Sequence, residues 1–69
     1  MKNTIKVERA RYNWSQQELA DKLGITRQSI YAIEAGKFIP STLLALKMAK
    51  LFNTKVEDVF SLEEKEIND

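Results

Sequence analysis

With 69 residues, the chain forms one domain near the lower size limit at which a core folds without a partner subunit. It contains no cysteine and no histidine, which excludes disulfides and thiolate or imidazole metal ligands. Only Ser, Thr, Lys and carboxylates are left for catalysis, so we predict a protein that is not an enzyme and uses no metal or cofactor. The absence of a signal-peptide pattern and of an apolar run of about 18 residues is typical of a soluble cytoplasmic protein with no membrane partner.

The net charge of +1 conceals an uneven distribution. Residues 1–50 contain nine basic and four acidic side chains, a net charge of +5, whereas residues 51–69 contain two basic and six acidic ones, a net charge of −4. A basic body with an acidic tail suits a polyanionic partner on one side. A solvated surface tolerates the same distribution.

Apolar patterns and capping signals predict the first two helices. An irregular apolar pattern predicts helix one over residues 4–12, ended by Asn13. Ser15 followed three residues later by Glu18 forms a capping box, which opens helix two. That helix ends at Leu23 before Gly24, because glycine adopts a positive φ at little cost.

Helices three and four follow from the same kinds of signal. Thr26 caps helix three, whose inward residues Ile30 and Ile33 are three apart, and Gly36 ends it. Ser41 then caps helix four, which extends to about residue 52 before Asn53.

The remaining residues predict a short helix and an acidic tail. Thr54 and Glu57 have the spacing of a second capping box, leading one short helix with Val56, Val59 and Phe60 on one face. Residues 61–69 form an acidic tail that frays or folds back as a strand along residues 1–6. The predicted fold is therefore all-α with five helices, with the terminal β-pair left open.

The exposed face of helix three has the chemistry of a base reader. With Ile30 and Ile33 buried, helical geometry places five residues on the opposite side: Arg27, Gln28, Tyr31, Ala32 and Ala35. Arg presents a fork that fits the O6 and N7 atoms of guanine, and Gln presents a donor and an acceptor that fit adenine. The alternative is that Arg27 and Gln28 are simply good helix formers on a solvent-exposed surface.

Two helices of about eight residues joined by a glycine-bearing turn make a helix-turn-helix unit, which sets its second helix in the DNA major groove. The chain resembles the helix-turn-helix domains of the lambda and 434 Cro/repressor type from Ile5 to Phe60. The residues that carry this resemblance are Ser15-Gln16, Leu19-Ala20, Gly24-Ile25, Ile30, Ile33-Glu34 and Gly36. A lambda-repressor-like domain is thus expected over residues 1–60, with its motif over residues 16–35 and the tail over residues 61–69.

The resemblance also implies roles for individual residues. Base contacts are expected from Thr26, Arg27, Gln28, Tyr31 and Ala32, and phosphate contacts from Ser15, Gln16, Ser29 and Lys37. Arg9 and Glu34 match positions that form a structural ion pair between helix one and the end of helix three. Ordinary capping and solvent exposure remain the alternative for Gln16 and Ser29, and Ala32 contacts a thymine methyl group or nothing.

Helix four has more apolar residues than a one-sided helix needs. Four of them suffice for the core: Ala45, Leu46, Ala49 and Phe52. The surplus predicts an exposed dimer interface made of Leu43, Leu44, Met48 and Leu51, unless the core wraps further round the helix.

These features predict a sequence-specific regulator of transcription that binds double-stranded DNA. We expect a repressor that binds a palindromic operator as a homodimer and has no small-molecule ligand. The alternative is a protein-interaction adaptor or antitoxin-like partner built on the same fold.

Overall fold

Helices make up most of the fold. The computed structural model of the protein describes residues 1–68, which contain six helices and one pair of short strands. In chain order they are β1 (Lys2–Asn3), α1 (Ile5–Tyr12), α2 (Gln16–Leu23), α3 (Arg27–Glu34), α4 (Thr42–Leu51), α5 (Val56–Val59), β2 (Phe60–Ser61) and α6 (Glu64–Asn68). None of these helices is long and apolar enough to cross a membrane. The predicted all-α class is confirmed, and α6 is a sixth helix that the sequence did not predict.

Side-chain caps open the three central helices where the sequence predicts them. The Ser15 hydroxyl accepts from the Glu18 N–H at 3.0 Å, and the Glu18 carboxylate accepts from the Ser15 N–H at 3.0 Å, so the capping box is complete. The Thr26 hydroxyl accepts from the Ser29 N–H at 3.1 Å. The Ser41 hydroxyl accepts from the Leu44 N–H at 3.2 Å. These bonds satisfy N–H groups that a helix start leaves without intrahelical partners.

The predicted terminators adopt the left-handed conformation. Asn13 (φ 59°), Gly24 (φ 71°), Gly36 (φ 75°) and Asn53 (φ 56°) have the positive φ values of residues 1–68. The Gly24 N–H bonds the Asp21 carbonyl at 3.3 Å, and the Ile25 N–H bonds the Ala20 carbonyl at 3.0 Å. The chain therefore leaves α2 and enters α3 through a turn of only three residues.

The second predicted capping box is wrong. Lys55 is the residue before α5, and its side chain makes no cap bond. The Thr54 hydroxyl instead donates to the Asp58 carboxylate at 3.3 Å. Because α5 starts one residue later than the capping box requires, Thr54 and Glu57 do not satisfy each other's backbone groups.

The core lies between all of the first five helices. Its fully buried large side chains are Ile5, Leu19, Ile30, Ile33, Met48, Phe52 and Val59. Met48 has no exposed surface, so its assignment to an exposed dimer interface is wrong. Leu46, which was assigned to the core, is 52% exposed. Ala45, Met48, Ala49 and Phe52 recur at the helical period of i, i+3, i+4 and i+7, and this stripe turns Leu46 outward.

Three aromatic rings join the end of α1 to the end of α4. Tyr12 and Trp14 stack with ring centroids 4.6 Å apart, and the Phe52 centroid lies 6.1 Å from that of Trp14. The Tyr12 hydroxyl donates to the Phe52 carbonyl at 2.7 Å, at the end of α4, where helix carbonyls lack intrahelical partners. This cluster fixes the segment between α1 and α2.

The start of the tail folds back onto the first residues, one of the two outcomes left open. β1 and β2 pair antiparallel, with Lys2 opposite Ser61 and Asn3 opposite Phe60. The predicted boundary between residues 60 and 61 therefore falls inside β2. In the tail, the Glu66 carboxylate accepts from the Glu63 N–H at 2.8 Å, and this hydrogen bond lowers the pKa of Glu66. Asp69 lies outside the described residues.

Replacing Gly24 tests the turn between α2 and α3. A Cβ atom at Gly24 would meet nothing within 4 Å, so the positive φ is the only obstacle to a side chain. We expect Gly24→Ala to lower the free energy of unfolding by about 1–2 kcal/mol, the cost of a left-handed L-residue. Gly24→Asn is the matched control and should cost less, because Asn adopts this conformation at residues 13 and 53. Urea denaturation followed by circular dichroism measures both, and an Asn variant less stable than the Ala variant would contradict this account.

Candidate nucleic-acid interface

The α3 helix presents a polar face on the side away from the core. Ile30 and Ile33 are buried, whereas Arg27, Gln28 and Tyr31 are exposed. All three exposed side chains lie in the first five residues of the helix, beside its N-terminus. A guanidinium, an amide and a phenol therefore share one solvent-facing surface.

Ala32 lies in the second half of the same helix, and Ala35 directly follows its last residue. Ala35 is exposed, but Ala32 is half-buried. The loop after α3 folds back over this part of the helix, since the Lys37 and Phe38 N–H groups both bond the Ala32 carbonyl, at 2.9 and 3.2 Å. The face is thus rich in hydrogen-bonding groups near the start of α3 and poor in them near its end.

Two hydroxyl groups meet at the start of α3. The Thr26 and Ser29 side-chain oxygens are 2.9 Å apart, and the Thr26 oxygen also accepts from the Ser29 N–H. Thr26 is exposed and Ser29 is half-buried. Ser29 is thus held against the cap of α3.

Lys37 returns to the α3 face from the following loop. Its Nζ atom lies 5.9 Å from the centroid of the Tyr31 ring, a cation–π distance. The structure therefore brings together two residues that were predicted separately. Lys37 adds a positive charge beside the exposed phenol.

An ion pair joins α1 to the end of α3. The Arg9 guanidinium donates twice to the Glu34 carboxylate, from Nε to Oε2 at 2.7 Å and from Nη2 to Oε1 at 3.1 Å. The two side chains are only 14% and 10% exposed. Such a two-bond contact fixes direction as well as distance, because both groups are planar.

The same ion pair reaches the start of α2. Arg9 Nη1 donates to the Trp14 carbonyl at 2.9 Å, and the Gln16 amide donates to Glu34 Oε1 at 3.3 Å. Glu34 thus accepts from residues of two other helices. Gln16 is therefore oriented by Glu34, while the Ser15 oxygen accepts from the Glu18 N–H.

A shallow cleft marks this junction, and it contains a residue that the sequence analysis missed. The cleft has a volume of about 280 Å³. Its lining residues are Lys6, Arg9, Gln16, Tyr31, Glu34 and Ala35. Lys6 is exposed on α1, three residues before Arg9 and hence on the same side of that helix. That spacing could have identified it.

The expected dimer residues of α4 differ in exposure. Leu43 is 65% exposed, whereas Leu44 and Leu51 are half-buried and pack against the core. Leu46, one helical turn from Leu43, is exposed, and so are Phe38 and Ile39 in the loop before α4. We call Phe38, Ile39, Leu43 and Leu46 the α4 apolar patch.

Two short helices joined by a glycine turn, the second with a polar outer face, define a helix-turn-helix protein. A helix-turn-helix family model matches residues 5–59 of the chain. The chain therefore belongs to the Cro/C1-type helix-turn-helix family.

Relatives match the chain over nearly its whole length. YgzD of Bacillus subtilis (strain 168) is 55% identical over 64 residues, covering 93% of this chain and 97% of the relative. A protein of Methanocaldococcus jannaschii is 53% identical over 66 residues, covering 96% of this chain and 100% of the relative. A protein of Archaeoglobus fulgidus is 45% identical over 67 residues, covering 97% and 94%. All three are named uncharacterized HTH-type transcriptional regulators.

A double-mutant cycle tests the ion pair. Arg9→Gln and Glu34→Gln should each destabilise the fold, because each leaves a largely buried charge without its partner. The double variant should be more stable than the sum of the two losses predicts, with a coupling energy of about 1–3 kcal/mol. Urea denaturation followed by Trp14 fluorescence measures the cycle, and losses that add within about 0.5 kcal/mol would contradict a direct interaction.

Proposed function

We propose that the protein is a sequence-specific DNA-binding repressor that acts as a homodimer on a palindromic operator. The observation that supports this most is the outer face of α3, where Arg27, Gln28 and Tyr31 are exposed together and Lys37 lies beside them. Long polar side chains on this side add nothing to the core. Family membership supports DNA binding and transcription regulation in general terms. Such a regulator works in the cytoplasm.

The proposed base contacts lie at the start of α3. With this end of the helix in the major groove, Arg27 would donate to a guanine and Gln28 would bond an adenine edge. Thr26 and Tyr31 would contact neighbouring bases. Ala32 would contact at most a thymine methyl group, because it is small and half-buried.

The proposed phosphate contacts surround that face. Gln16 lies in the first turn of α2, where helix N–H groups favour an anion, and Ser15 precedes it. Ser29 and Lys37 would contact the backbone beside α3, and Lys6 would add a charge from α1. These contacts would fix the register of the protein on DNA without selecting a sequence.

The proposed dimer interface is the α4 apolar patch together with Leu44 and Leu51, which are half-buried on the same helix. It exposes four large apolar side chains on one helix and on the loop that leads into it. Packing this patch against its copy in a second chain would bury those side chains. A two-fold dimer would place two α3 helices about 34 Å apart, one turn of DNA. A dimer bound in this way would block access to the DNA it covers, hence repression.

Selection from a randomised DNA pool tests the function. We expect an enriched palindrome, whose affinity falls with salt at a log–log slope of about −0.9 for each neutralised phosphate. Gln28→Ala should then cost about 1–3 kcal/mol on the selected site and relax the preference at one base pair per half-site. Gln16→Ala should weaken binding about equally on all sequences.

Gln17→Ala is the matched control for both changes. Gln17 is an exposed amide on the same helix as Gln16, and it donates to Asp21 of its own helix at 2.8 Å. Gln17→Ala should therefore change neither the affinity for the selected site nor the base preference. The affinities of Gln28→Ala, Gln16→Ala and Gln17→Ala for the selected site and for its single base-pair variants distinguish a base contact, a phosphate contact and no contact. If Gln16→Ala altered base preference while Gln28→Ala did not, the docking would be wrong. An unenriched pool would favour the adaptor or antitoxin-like alternative.

The oligomeric state tests the dimer. Leu43→Glu should give a monomer with native helix content and weaker operator binding, because a dimer holds two half-sites at once. Ile67→Glu is the matched control, since Ile67 is as exposed as Leu43, at 65%, but lies in α6. Sedimentation equilibrium measures both masses. An unchanged dimer mass for Leu43→Glu, or a monomeric parent, would contradict the interface.

A further inference from the structure

The Asn3 side chain bonds the far end of α3. Asn3 Nδ2 donates to the Ile33 carbonyl at 2.9 Å and to the Glu34 carbonyl at 3.4 Å, across 30 residues of sequence. Its Oδ1 atom accepts from the Ile5 N–H at 3.2 Å, at the start of α1. One half-buried amide thus connects the start of α1 to the end of α3.

These carbonyls belong to a helix end that needs a donor. The last four carbonyls of a helix have no intrahelical partner, and α3 has no basic residue in its last turn. The Gly36 N–H bonds the Ile33 carbonyl at 3.0 Å, within the turn that ends the helix. Asn3 is a donor to this end from a distant part of the chain.

The terminal strand pair and α5 hold Asn3 in place. Asn3 pairs with Phe60, which is buried in the core. The next residue, Thr4, donates its backbone N–H to the Val59 carbonyl at 2.8 Å, and this bond does not depend on the Thr4 side chain. The position of Asn3 is therefore set by the end of α5 and by β2.

We propose that Asn3 is a positioning residue that fixes the carboxyl-terminal end of α3 and so sets the direction in which α3 presents its outer face. The Arg9–Glu34 ion pair holds this end through the Glu34 side chain. Asn3 holds the backbone itself. Its effect on DNA recognition rests on the proposed function.

Hydrogen exchange in the free protein provides the first test. Asn3→Ala removes the Nδ2 donor and Oδ1 without adding a charge, and Asn3→Asp keeps the side-chain shape but replaces the donor by a carboxylate oxygen, which the two carbonyls repel. Asn3→Ala should speed exchange of the Gly36 and Lys37 amides by about 3- to 10-fold, as expected for the loss of one or two hydrogen bonds, and Asn3→Asp should speed it at least as much. Amides at the end of α2, such as that of Leu23, provide the internal reference.

Thr4→Val is the matched control. Thr4 lies between β1 and α1, and its hydroxyl donates to the Asp58 carbonyl at 3.0 Å. Thr4→Val removes this hydrogen bond, which leads to α5 and not to α3. Its exchange at Gly36 should equal that of the parent.

The second test compares affinities for the selected site and for unrelated DNA. Asn3→Asp should lower the ratio of the affinity for the selected site to the affinity for unrelated DNA by about 3- to 10-fold, whereas Thr4→Val should leave this ratio unchanged. Faster exchange confined to the end of α3 together with a lower ratio would support the inference. Exchange that rises equally in α2 and α3, or equally in the Asn3 and Thr4 variants, would overturn it. A parent without sequence preference would overturn the proposed function, while the exchange test would still decide whether Asn3 fixes α3.

Discussion

The Arg9–Glu34 ion pair is the interaction on which the geometry of the α3 face depends. It joins the first helix to the end of the third, and its partners extend to the Trp14 carbonyl and to the Gln16 amide at the start of α2. Removing two charges from water is costly, so such a pair adds little net stability even with good geometry. The ion pair instead fixes orientation, because the Glu34 carboxylate of α3 accepts hydrogen bonds from Arg9 of α1 and from Gln16 of α2.

Stability and the proposed DNA recognition depend on separate residues of the same short helix. Ile30 and Ile33 are buried in the core, and Arg27 and Gln28 are exposed and add nothing to it. The outer residues can therefore change without loss of the fold. The Thr26 cap belongs to both groups, since it starts the helix and lies at the edge of that face.

Local signals in the sequence predicted most of the fold, and contacts between distant residues account for the misassigned face of α4 and for the missed bonds of Asn3. The caps at Ser15 and Thr26 and the left-handed turn at Gly24 depend on neighbours within four residues, so a single sequence reveals them. The inward face of α4 was misassigned because apolar residues surround that helix, and tertiary packing selected Met48 rather than Leu46. The bonds from Asn3 to α3 span 30 residues and have no local signature.

The uneven chemistry of the α3 face explains why the orientation of its far end matters. Hydrogen-bonding groups are concentrated at Arg27, Gln28 and Tyr31, whereas Ala35 offers none. On the proposed function, the helix must therefore meet the bases with its N-terminal turn. The contacts that fix the direction of α3, Glu34 with Arg9 and Ile33 with Asn3, lie at the opposite end. Since α3 spans eight residues, about 12 Å, a small rotation at the fixed end moves the reading end by a distance comparable to a hydrogen bond's tolerance. Precise attachment of the far end is thus a condition for base selection at the near end.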